Sequence, residues 1–269
     1  MAMHAGDVTF VHITDSHIGP SADYRRHGLA ALPCAERIVE TINALVPQPD
    51  FVLHTGDVVT EPHDASYALA AGVFGRLTAP TYYAVGNHDT AADLRRWMRV
   101  GPHVPLLPDD GPWSYAFEVR GHRFLAVDAR GPDAIDPQGA LSAAQWSVLE
   151  RELTPDGPPL TLFTHFPLLP MGSPWIDRTM LVRDGDGLHD RLAAVANRVR
   201  GVFFGHIHQP LHMSVDGVLY SAAPSTFAQL TGWPTDEVAG ADPVALPGYA
   251  VVRLTAAGTT VRTLSFPRP

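Results

Sequence analysis

The chain has 269 residues, is 45% hydrophobic and 17% charged, and carries a formal net charge of −9. This is the composition of an ordinary globular protein, and the acidic balance argues against a broad surface for a nucleic-acid polymer. The single cysteine, Cys34, excludes an internal disulfide and a site built on paired thiolates. No apolar run approaches the ~20 residues of a membrane span, and residues 1–7 lack a signal-peptide layout, so we expect a cytoplasmic protein.

The first predicted strand runs from Val8 to Thr14, a short apolar and β-branched segment that ends in Asp15-Ser16-His17. In an extended segment, residues i and i+2 point to the same side, so Asp15 and His17 are expected to face one site. A polar turn after a strand is the alternative interpretation of the same residues.

Two further strands alternate with two helices. Helical spacing covers Glu36 to Val46 and Asp64 to Leu77, whereas Asp50 to Thr55 and Pro80 to Val85 are typical of buried strands. This βαβαβ order predicts a parallel sheet covered by helices, and in such sheets ligands bind at the carboxyl ends of the strands. The polar groups at those ends are Asp15 and His17, then Gly56-Asp57, then Gly86-Asn87-His88-Asp89.

Polar side chains also follow strands predicted in the second half. The strands Pro159 to Thr164 and Val199 to Phe204 end in His165 and in Gly205-His206-Ile207-His208. The i, i+2 spacing of His206 and His208 is again expected to aim two imidazoles at one point. The other predicted elements are a helix over Ala91 to Arg99, a hairpin of Trp113 to Val119 with His122 to Asp128, a helix capped by Ser142 and Gln145 and ending near Leu153, a helix over Leu188 to Ala196, and strands at Leu211 to Val215, Gly217 to Ala222, Gly248 to Thr255 and Thr259 to Phe266. The second half is therefore expected to supply a mixed second sheet, with irregular loops over residues 166–184 and 231–246.

Several other side chains have more than one interpretation. Phe166, Met171 and Trp175 either line a pocket or cover the core. His12 and His54 lie inside strand patterns and are expected to be buried structural groups. The remaining histidines are expected in solvent or in loops, and they are His4, His27, His63, His103, His122, His189 and His212.

The strand ends together carry seven nitrogen and oxygen ligands and no thiolate, namely Asp15, His17, Asp57, Asn87, His165, His206 and His208. This donor set suits iron, manganese, zinc or cobalt better than copper(I) or a structural zinc ion. Seven groups exceed the needs of one ion and suit two ions that share a carboxylate. Two metals ~3.5–4 Å apart are a recurrent centre for phosphoryl chemistry, where they clamp phosphate oxygens and convert a bound water into hydroxide. His88 is then free to act on the leaving group.

In their order along residues 8–208, these motifs resemble those of the calcineurin-like metallophosphoesterases. The resemblance implies an α/β fold, namely a four-layer αββα sandwich of two mixed β-sheets flanked by helices, with residues 1–269 forming one domain. It places Asp15, His17 and His208 on one metal ion and Asn87, His165 and His206 on the other, with Asp57 bridging both. The implied substrate-binding residues are Asn87 and His88. The implied catalytic residues are His88 and its supporting neighbour Asp89, at which family members vary.

Within that family, the chain is most similar to the bacterial class III cyclic-nucleotide phosphodiesterases and the related glycerophosphodiesterases. The stretches that carry this likeness are Val11-His12-Ile13-Thr14-Asp15-Ser16-His17, His165-Phe166-Pro167 through Met171-Gly172-Ser173-Pro174-Trp175, and Gly205-His206-Ile207-His208-Gln209 with Ala223-Pro224-Ser225-Thr226. Thr164 departs from the subgroup, in which a second histidine is common there, and the tail is short. These departures affect the substrate assignment and leave the metal assignment unchanged.

The resemblance implies a metal-dependent hydrolase that cleaves small-molecule phosphodiesters by attack of a metal-bound hydroxide, with two ions of iron, manganese, zinc or cobalt as cofactors. The implied substrates are cyclic nucleotides such as 3′,5′-cAMP, or glycerophosphodiesters. A phosphomonoesterase or broad-specificity phosphoesterase with the same centre is the alternative, and a scaffold that lost catalysis is a third reading, although no ligand is missing. A homodimer is implied by the resemblance alone.

Overall fold

The computed structural model describes residues 6–232 and 235–269 of the protein. The strands in these residues are β1 Val8–Ile13, β2 Arg25–Arg26, β3 Leu29–Ala30, β4 Phe51–His54, β5 Thr81–Tyr83, β6 Val104–Pro105, β7 Tyr115–Val119, β8 His122–Ala126, β9 Leu160–Phe163, β10 Val199–Phe204, β11 Leu211–Val215, β12 Val218–Ala222, β13 Gly248–Thr255 and β14 Gly258–Ser265. The helices are α1 Ala31–Asn43, α2 Asp64–Phe74, α3 Ala91–Trp97, α4 Ala143–Glu152, α5 Pro174–Thr179 and α6 Gly185–Ala193, with a 3-10 helix at Asp133–Ile135. Among these helices, none combines the length and apolar character needed to cross a membrane.

The first sheet has the strand order β14-β13-β1-β4-β5. Strands β1, β4 and β5 run parallel, with Ile13 beside His54 and His54 beside Tyr83, which confirms the predicted βαβαβ arrangement. The carboxyl ends of these three strands therefore meet at one edge of the sheet. The polar residues that follow them are brought together there.

The second sheet has the order β11-β12-β10-β9-β8-β7-β6 and mixes parallel with antiparallel pairs. The prediction that the two terminal strands belong to this second sheet is wrong. Strand β13 pairs antiparallel with β1 of the first sheet, and β14 pairs with β13. The alternation of apolar residues predicts a strand and its buried face, but it does not encode the sheet edge with which the strand pairs.

Two apolar clusters produce the four layers. In the cluster between the sheets, the Phe10 ring lies 5.2 Å from that of Phe203, and the Phe51 ring lies 4.9 Å from that of Phe124. Helices α1 to α3 contribute to this same cluster, whereas α4 to α6 pack on the second sheet in a separate one. The predicted α/β sandwich of two mixed sheets with helices outside is confirmed.

The local differences from the predicted elements have simple causes. Residues 166–184 are predicted to be irregular but contain α5, which begins with Pro174 in its first turn and buries Ile176. Helix α1 begins at Ala31, before the predicted start at Glu36, because Cys34 and Ala35 also face the core. The capping box at the start of α4 is confirmed.

The histidine predictions are partly correct. His12 and His54 are fully buried, as predicted, and their Nε2 atoms lie 2.9 Å from Thr55 Oγ1 and 2.8 Å from Ser16 Oγ. The predictions for His122 and His189 are wrong, because both are buried; His189 lies between the Tyr220 hydroxyl and the Asp216 carboxylate. The predicted exposure of His4 concerns a residue outside the described ranges.

One side chain of the second sheet completes the hydrogen bonding of the first. The buried Tyr115 hydroxyl donates to the carbonyl oxygen of Tyr83 at 2.7 Å and accepts the Tyr83 N–H at 2.8 Å. Strand β5, to which Tyr83 belongs, lies at the edge of its sheet and leads directly into Gly86. Tyr115 therefore fixes the strand that delivers Asn87 and His88.

We expect Tyr115→Phe to lower the free energy of unfolding by about 1–3 kcal/mol for each of the two Tyr83 backbone groups, because both are left buried without a partner. The control is Tyr249→Phe, since the Tyr249 hydroxyl makes no hydrogen bond within the described ranges. Urea titration at one fixed metal concentration measures both variants. Equal stability of Tyr115→Phe and the control would contradict this role.

Candidate metal centre

The polar residues at the strand ends have an unusual backbone. Asp15 and His17 have φ angles of 53° and 45°, and Asp57, His206 and His208 have φ angles of 53°, 70° and 49°. All five lie in the left-handed region, which costs energy for residues with a Cβ and is concentrated at functional sites. The premise that Asp15 and His17 share an extended segment is therefore wrong, although the two side chains do converge.

The first group of side chains comprises Asp15, His17, Asp57 and His208, all buried. The Nε2 atoms of His17 and His208 are 3.0 Å apart, and His208 Nε2 lies 3.2 Å from Asp15 Oδ1. His17 Nε2 lies 3.6 Å from Asp57 Oδ2. Four nitrogen and oxygen atoms thus surround one point.

The second group comprises Asp57, His165 and His206. His165 Nε2 lies 3.3 Å from Asp57 Oδ2 and 3.0 Å from His206 Nδ1. Asn87 Oδ1 lies 3.3 Å from the same His165 nitrogen. The prediction that His206 and His208 aim at one point is wrong: the left-handed backbone directs them into different groups.

Asp57 is the residue that the two groups share. Its Oδ2 atom faces His17 and His165, and its Oδ1 atom accepts the His88 backbone N–H at 2.9 Å. This contact requires the turn at Gly86 to lie directly against Asp57, and a Cβ on Gly86 would overlap Asp57 Oδ1. Glycine is needed at position 86 because the backbone must approach a carboxylate so closely.

Each of three histidines is oriented by a backbone carbonyl on its other ring nitrogen. His165 Nδ1 lies 2.7 Å from Thr55 O, and His208 Nδ1 lies 2.7 Å from Ala228 O. His206 is reversed, with Nε2 placed 2.8 Å from Pro137 O and Nδ1 facing the site. Such hydrogen bonds fix the tautomer and the ring orientation of metal-binding histidines.

The carboxylates control the charge of this buried site. Burial favours a neutral His165, but the Asp57 carboxylate raises the pKa of His165 to about 9. Burial likewise opposes ionisation of Asp57, yet His165 and His88 lower the pKa of that carboxyl well below its usual value. Burial and the neighbouring His165 lower the pKa of His206 to about 3. A metal ion that binds at neutral pH must therefore displace a proton from His165, whereas His206 is already neutral.

The nitrogen and oxygen donors fit a metal ion. Each group offers at least three ligand atoms from buried residues, and all the ligand atoms within a group lie within 4.8 Å of one another. Carboxylate and imidazole ligands suit divalent transition-metal ions. Within the described residues, these two groups are the clusters able to hold a metal ion.

His88 lies beside both groups and belongs to neither. Its Nδ1 atom lies 2.7 Å from Thr60 O, and its ring centre lies 4.9 Å from that of His17. Because Nδ1 is held by a carbonyl, Nε2 is the ring nitrogen available to a ligand. Asn87 and His88 are both only partly buried, in contrast to the carboxylates and histidines of the two groups.

Asp89 lies behind the site. Its buried carboxylate accepts the N–H groups of Val58 and Gly86 at 3.2 Å each. Burial, together with the nearby Asp57 carboxylate, raises the pKa of Asp89 to about 7. The contacts of Asp89 join the turn that carries Asp57 to the turn that carries Asn87 and His88.

Phe166, Met171 and Trp175, which the sequence places either along a pocket or over the core, differ in what they contact. Phe166 is fully buried, packs against the rings of His165 and His206, and lines a small cavity of about 10 Å³ beside Asn87. Met171 and Trp175 pack against the second apolar cluster instead. Phe166 therefore both lines the pocket and packs in the core, whereas Met171 and Trp175 only cover the core.

Sequence reasoning assigned no role to several residues around the centre. Arg26 reaches His88, with Nη2 3.4 Å from His88 Nε2, and Arg130 lines the cavity beside Asn87. Ser225 Oγ donates to the carbonyl oxygen of Asp15 at 2.8 Å. The turn dipeptide His27-Gly28 signals the hairpin that carries Arg26, but nothing in the sequence signals the target of the guanidinium.

Comparison with known proteins identifies the family of the chain. The family model for calcineurin-like phosphoesterases matches residues 8–210. The chain is 30% identical to the 3′,5′-cyclic adenosine monophosphate phosphodiesterase CpdA of Pseudomonas aeruginosa, over 92% of this chain and 85% of that protein. It is 28% identical to the glycerophosphodiester phosphodiesterase GpdQ of Enterobacter lignolyticus, over 81% of this chain and 77% of that protein.

A solved structure supports the fold assignment. The dimetal phosphatase from Danio rerio superposes with a TM-score of 0.61 at 13% identity, covering 97% of this chain and 99% of that one. At 13% identity, this comparison supports the fold assignment alone and carries no information about the substrate. The family match covers most of the chain and includes every residue of the two groups, so the chain belongs to the calcineurin-like phosphoesterase family.

Proposed function

We propose that the protein hydrolyses small-molecule phosphodiesters at a centre of two metal ions. Asp15, His17 and His208 would hold one ion, Asn87, His165 and His206 would hold the other, and Asp57 would serve both. The observation that carries this proposal is the sharing of Asp57 between two compact groups of nitrogen and oxygen ligands. Iron, manganese, zinc and cobalt are the candidate metals.

Metal ions bound here would polarise the phosphoryl group and lower the pKa of a bound water. The side chains of the protein then have separate tasks. The Nε2 atom of His88 donates a proton to the departing oxygen, while the Thr60 carbonyl holds the other ring nitrogen. Asp89 is a positioning residue, since its carboxylate is occupied by backbone N–H groups of both turns.

The relatives support two substrate classes for this site. The CpdA name specifies 3′,5′-cyclic adenosine monophosphate, and the GpdQ name specifies glycerophosphodiesters. Each is a phosphodiester with one negative charge on phosphorus. Cyclic nucleotides are our first candidate because the CpdA match has the higher identity and covers more of both chains.

A substrate panel tests the proposal. Purified protein is reconstituted with each candidate metal and assayed on 2′,3′- and 3′,5′-cyclic nucleotides, glycerophosphodiesters and monoesters. We expect diester hydrolysis that chelation abolishes and metal restores. A reconstituted protein without activity on any diester would refute the proposed function.

The shared position of Asp57 makes a specific prediction about metal content. We expect Asp57→Ala to reduce the occupancy of both ions, because each ion loses a ligand and the negative charge that offsets the repulsion between them. We expect His208→Ala to affect mainly one ion, since His208 lies in one group only. Elemental analysis of the folded variants distinguishes the two patterns, and a single tightly held ion in active wild type would exclude a bridged pair.

The proton-donating role of His88 is tested with two leaving groups. An alkoxide leaves poorly without a proton, whereas nitrophenolate leaves readily without one. We therefore expect His88→Ala to lower kcat/KM for alkyl or nucleoside diesters by about 10²–10⁴-fold, and for a nitrophenyl diester by much less.

The comparison of wild type with His88→Ala is valid only if both proteins contain the same amount of metal. Similar losses on both kinds of diester would mean that His88 binds the phosphate charge and is not the proton donor. Asn43→Ala is a suitable control, because the Asn43 side chain forms hydrogen bonds with the backbone of Arg76 and Thr78 at an exposed site.

A further inference from the structure

A pair of side-chain nitrogens lies at the open side of the site. Arg26 Nη2 lies 3.4 Å from His88 Nε2, which is longer than an ordinary hydrogen bond, so neither nitrogen is firmly engaged by the other. Both side chains are held by one residue: Arg26 Nη1 donates to Thr60 Oγ1 at 2.8 Å, and His88 Nδ1 lies 2.7 Å from Thr60 O. Thr60 therefore sets the spacing between the guanidinium and the imidazole.

The hairpin of β2 and β3 holds Arg26 in this position. Arg26 pairs with Leu29 across a tight turn. Leu29 packs on a small apolar cluster that contains Phe227, whose ring lies 6.3 Å from that of His17. The hairpin is thereby anchored beside the site, and Arg26 stays partly exposed, in contrast to the buried residues of the two ligand groups.

The placement of Arg26 indicates which part of a substrate it meets. In the proposed reaction, the phosphoryl group lies at the buried ligand groups and His88 Nε2 faces the leaving oxygen. The guanidinium lies next to this nitrogen on the exposed side, into which the organic part of the leaving group extends. A guanidinium has five N–H donors and no acceptor, and the contacts with Thr60 and His88 engage at most two of them. Arg26 is thus able to donate to an oxygen that neighbours the leaving one.

A ribose leaving group carries such an oxygen. Cleavage of the P–O3′ bond of a 3′,5′-cyclic nucleotide makes O3′ the leaving oxygen, and the 2′-hydroxyl is on the adjacent carbon. The two oxygens of a vicinal diol lie about one hydrogen-bond length apart, which is comparable to the 3.4 Å between Arg26 Nη2 and His88 Nε2. One nitrogen therefore suits each oxygen of the diol.

We propose that Arg26 is a specificity-determining residue, which donates a hydrogen bond to the hydroxyl beside the leaving oxygen. The inference rests on the proposed diester hydrolysis and adds to it the part of the leaving group that the protein recognises. In the reaction, the water oxygen bonds to phosphorus, the P–O3′ bond breaks, and O3′ leaves with a proton, while Arg26 keeps all of its own protons. A site that donates a hydrogen bond to a substrate hydroxyl discriminates against the analogue that lacks this hydroxyl.

The test is a cycle of two proteins and two substrates, namely 3′,5′-cAMP and its 2′-deoxy analogue. Arg26→Met keeps a long side chain and removes every N–H donor. We expect the preference for cAMP in kcat/KM to be about 10- to 100-fold greater in wild type than in Arg26→Met, the effect of one hydrogen bond from a charged donor. Any intrinsic difference in reactivity between the two nucleotides cancels, because it is the same for both proteins.

Two controls separate this role from a more general one. Arg25→Met changes the exposed neighbour on the same hairpin, whose Nη1 contacts Gly28 O, and we expect it to keep the wild-type preference. A nitrophenyl diester has no hydroxyl beside its leaving oxygen, so we expect wild type and Arg26→Met to hydrolyse it at similar rates. Equal losses by Arg26→Met on both nucleotides would overturn the proposal, because Arg26 would then act through His88 or on the phosphate.

Binding of the reaction product provides a readout without turnover. 5′-AMP carries the 2′,3′-diol, and 2′-deoxy-5′-AMP lacks one of its two hydroxyls. Calorimetry on the metal-loaded protein is expected to show a preference for 5′-AMP in wild type and in Arg25→Met that is reduced in Arg26→Met.

The failure of this inference is distinguishable from the failure of the proposed function. Hydrolysis of the nitrophenyl diester by wild type, but of neither nucleotide, would overturn the inference and leave diester hydrolysis standing. If wild type hydrolyses no diester, the proposed function fails and product binding decides the role of Arg26. Equal preferences for 5′-AMP in wild type and Arg26→Met would then refute that role.

Discussion

The centre depends on the burial of one carboxylate, that of Asp57. Burial of an unpaired carboxylate is strongly unfavourable, so Asp57 must be surrounded by groups that compensate its charge. The His165 imidazole, whose pKa is raised to about 9, provides this on one oxygen, and the His88 backbone N–H provides it on the other. Cations bound by the two groups would likewise offset the negative charge of the Asp57 carboxylate.

The topology explains why these groups come from distant parts of the chain. Parallel strands β1, β4 and β5 end at one edge of the first sheet, and β9 and β10 of the second sheet, which also run parallel, lead to His165 and His206. Contact between the two sheets joins these ends. Tyr115 and Asp89 then lock the strand and turn that present Asn87 and His88.

Much of this arrangement could be predicted from the sequence, because apolar runs that end in Asp, Asn and His are visible without a structure. The left-handed backbone at Asp15 and His208 could not be predicted from the sequence, because it arises from tertiary contacts that override the local conformational preference. The partner of strand β13 and the burial of His122 also depend on which distant segment packs nearby. Arg26 illustrates the same limit, since an arginine in a turn does not specify what its guanidinium contacts.

The separation of the ligands along the chain has a consequence for conformational entropy. His17 and His208 are 191 residues apart in sequence, yet their Nε2 atoms lie 3.0 Å from each other. A metal ion held by both residues would close a loop that spans most of the polypeptide, and the entropy removed by such a closure would increase with the logarithm of its length. The chain has one cysteine and therefore no internal disulfide, so a bound metal ion would supply a cross-link between the end of β1 and the end of β10 in the second sheet.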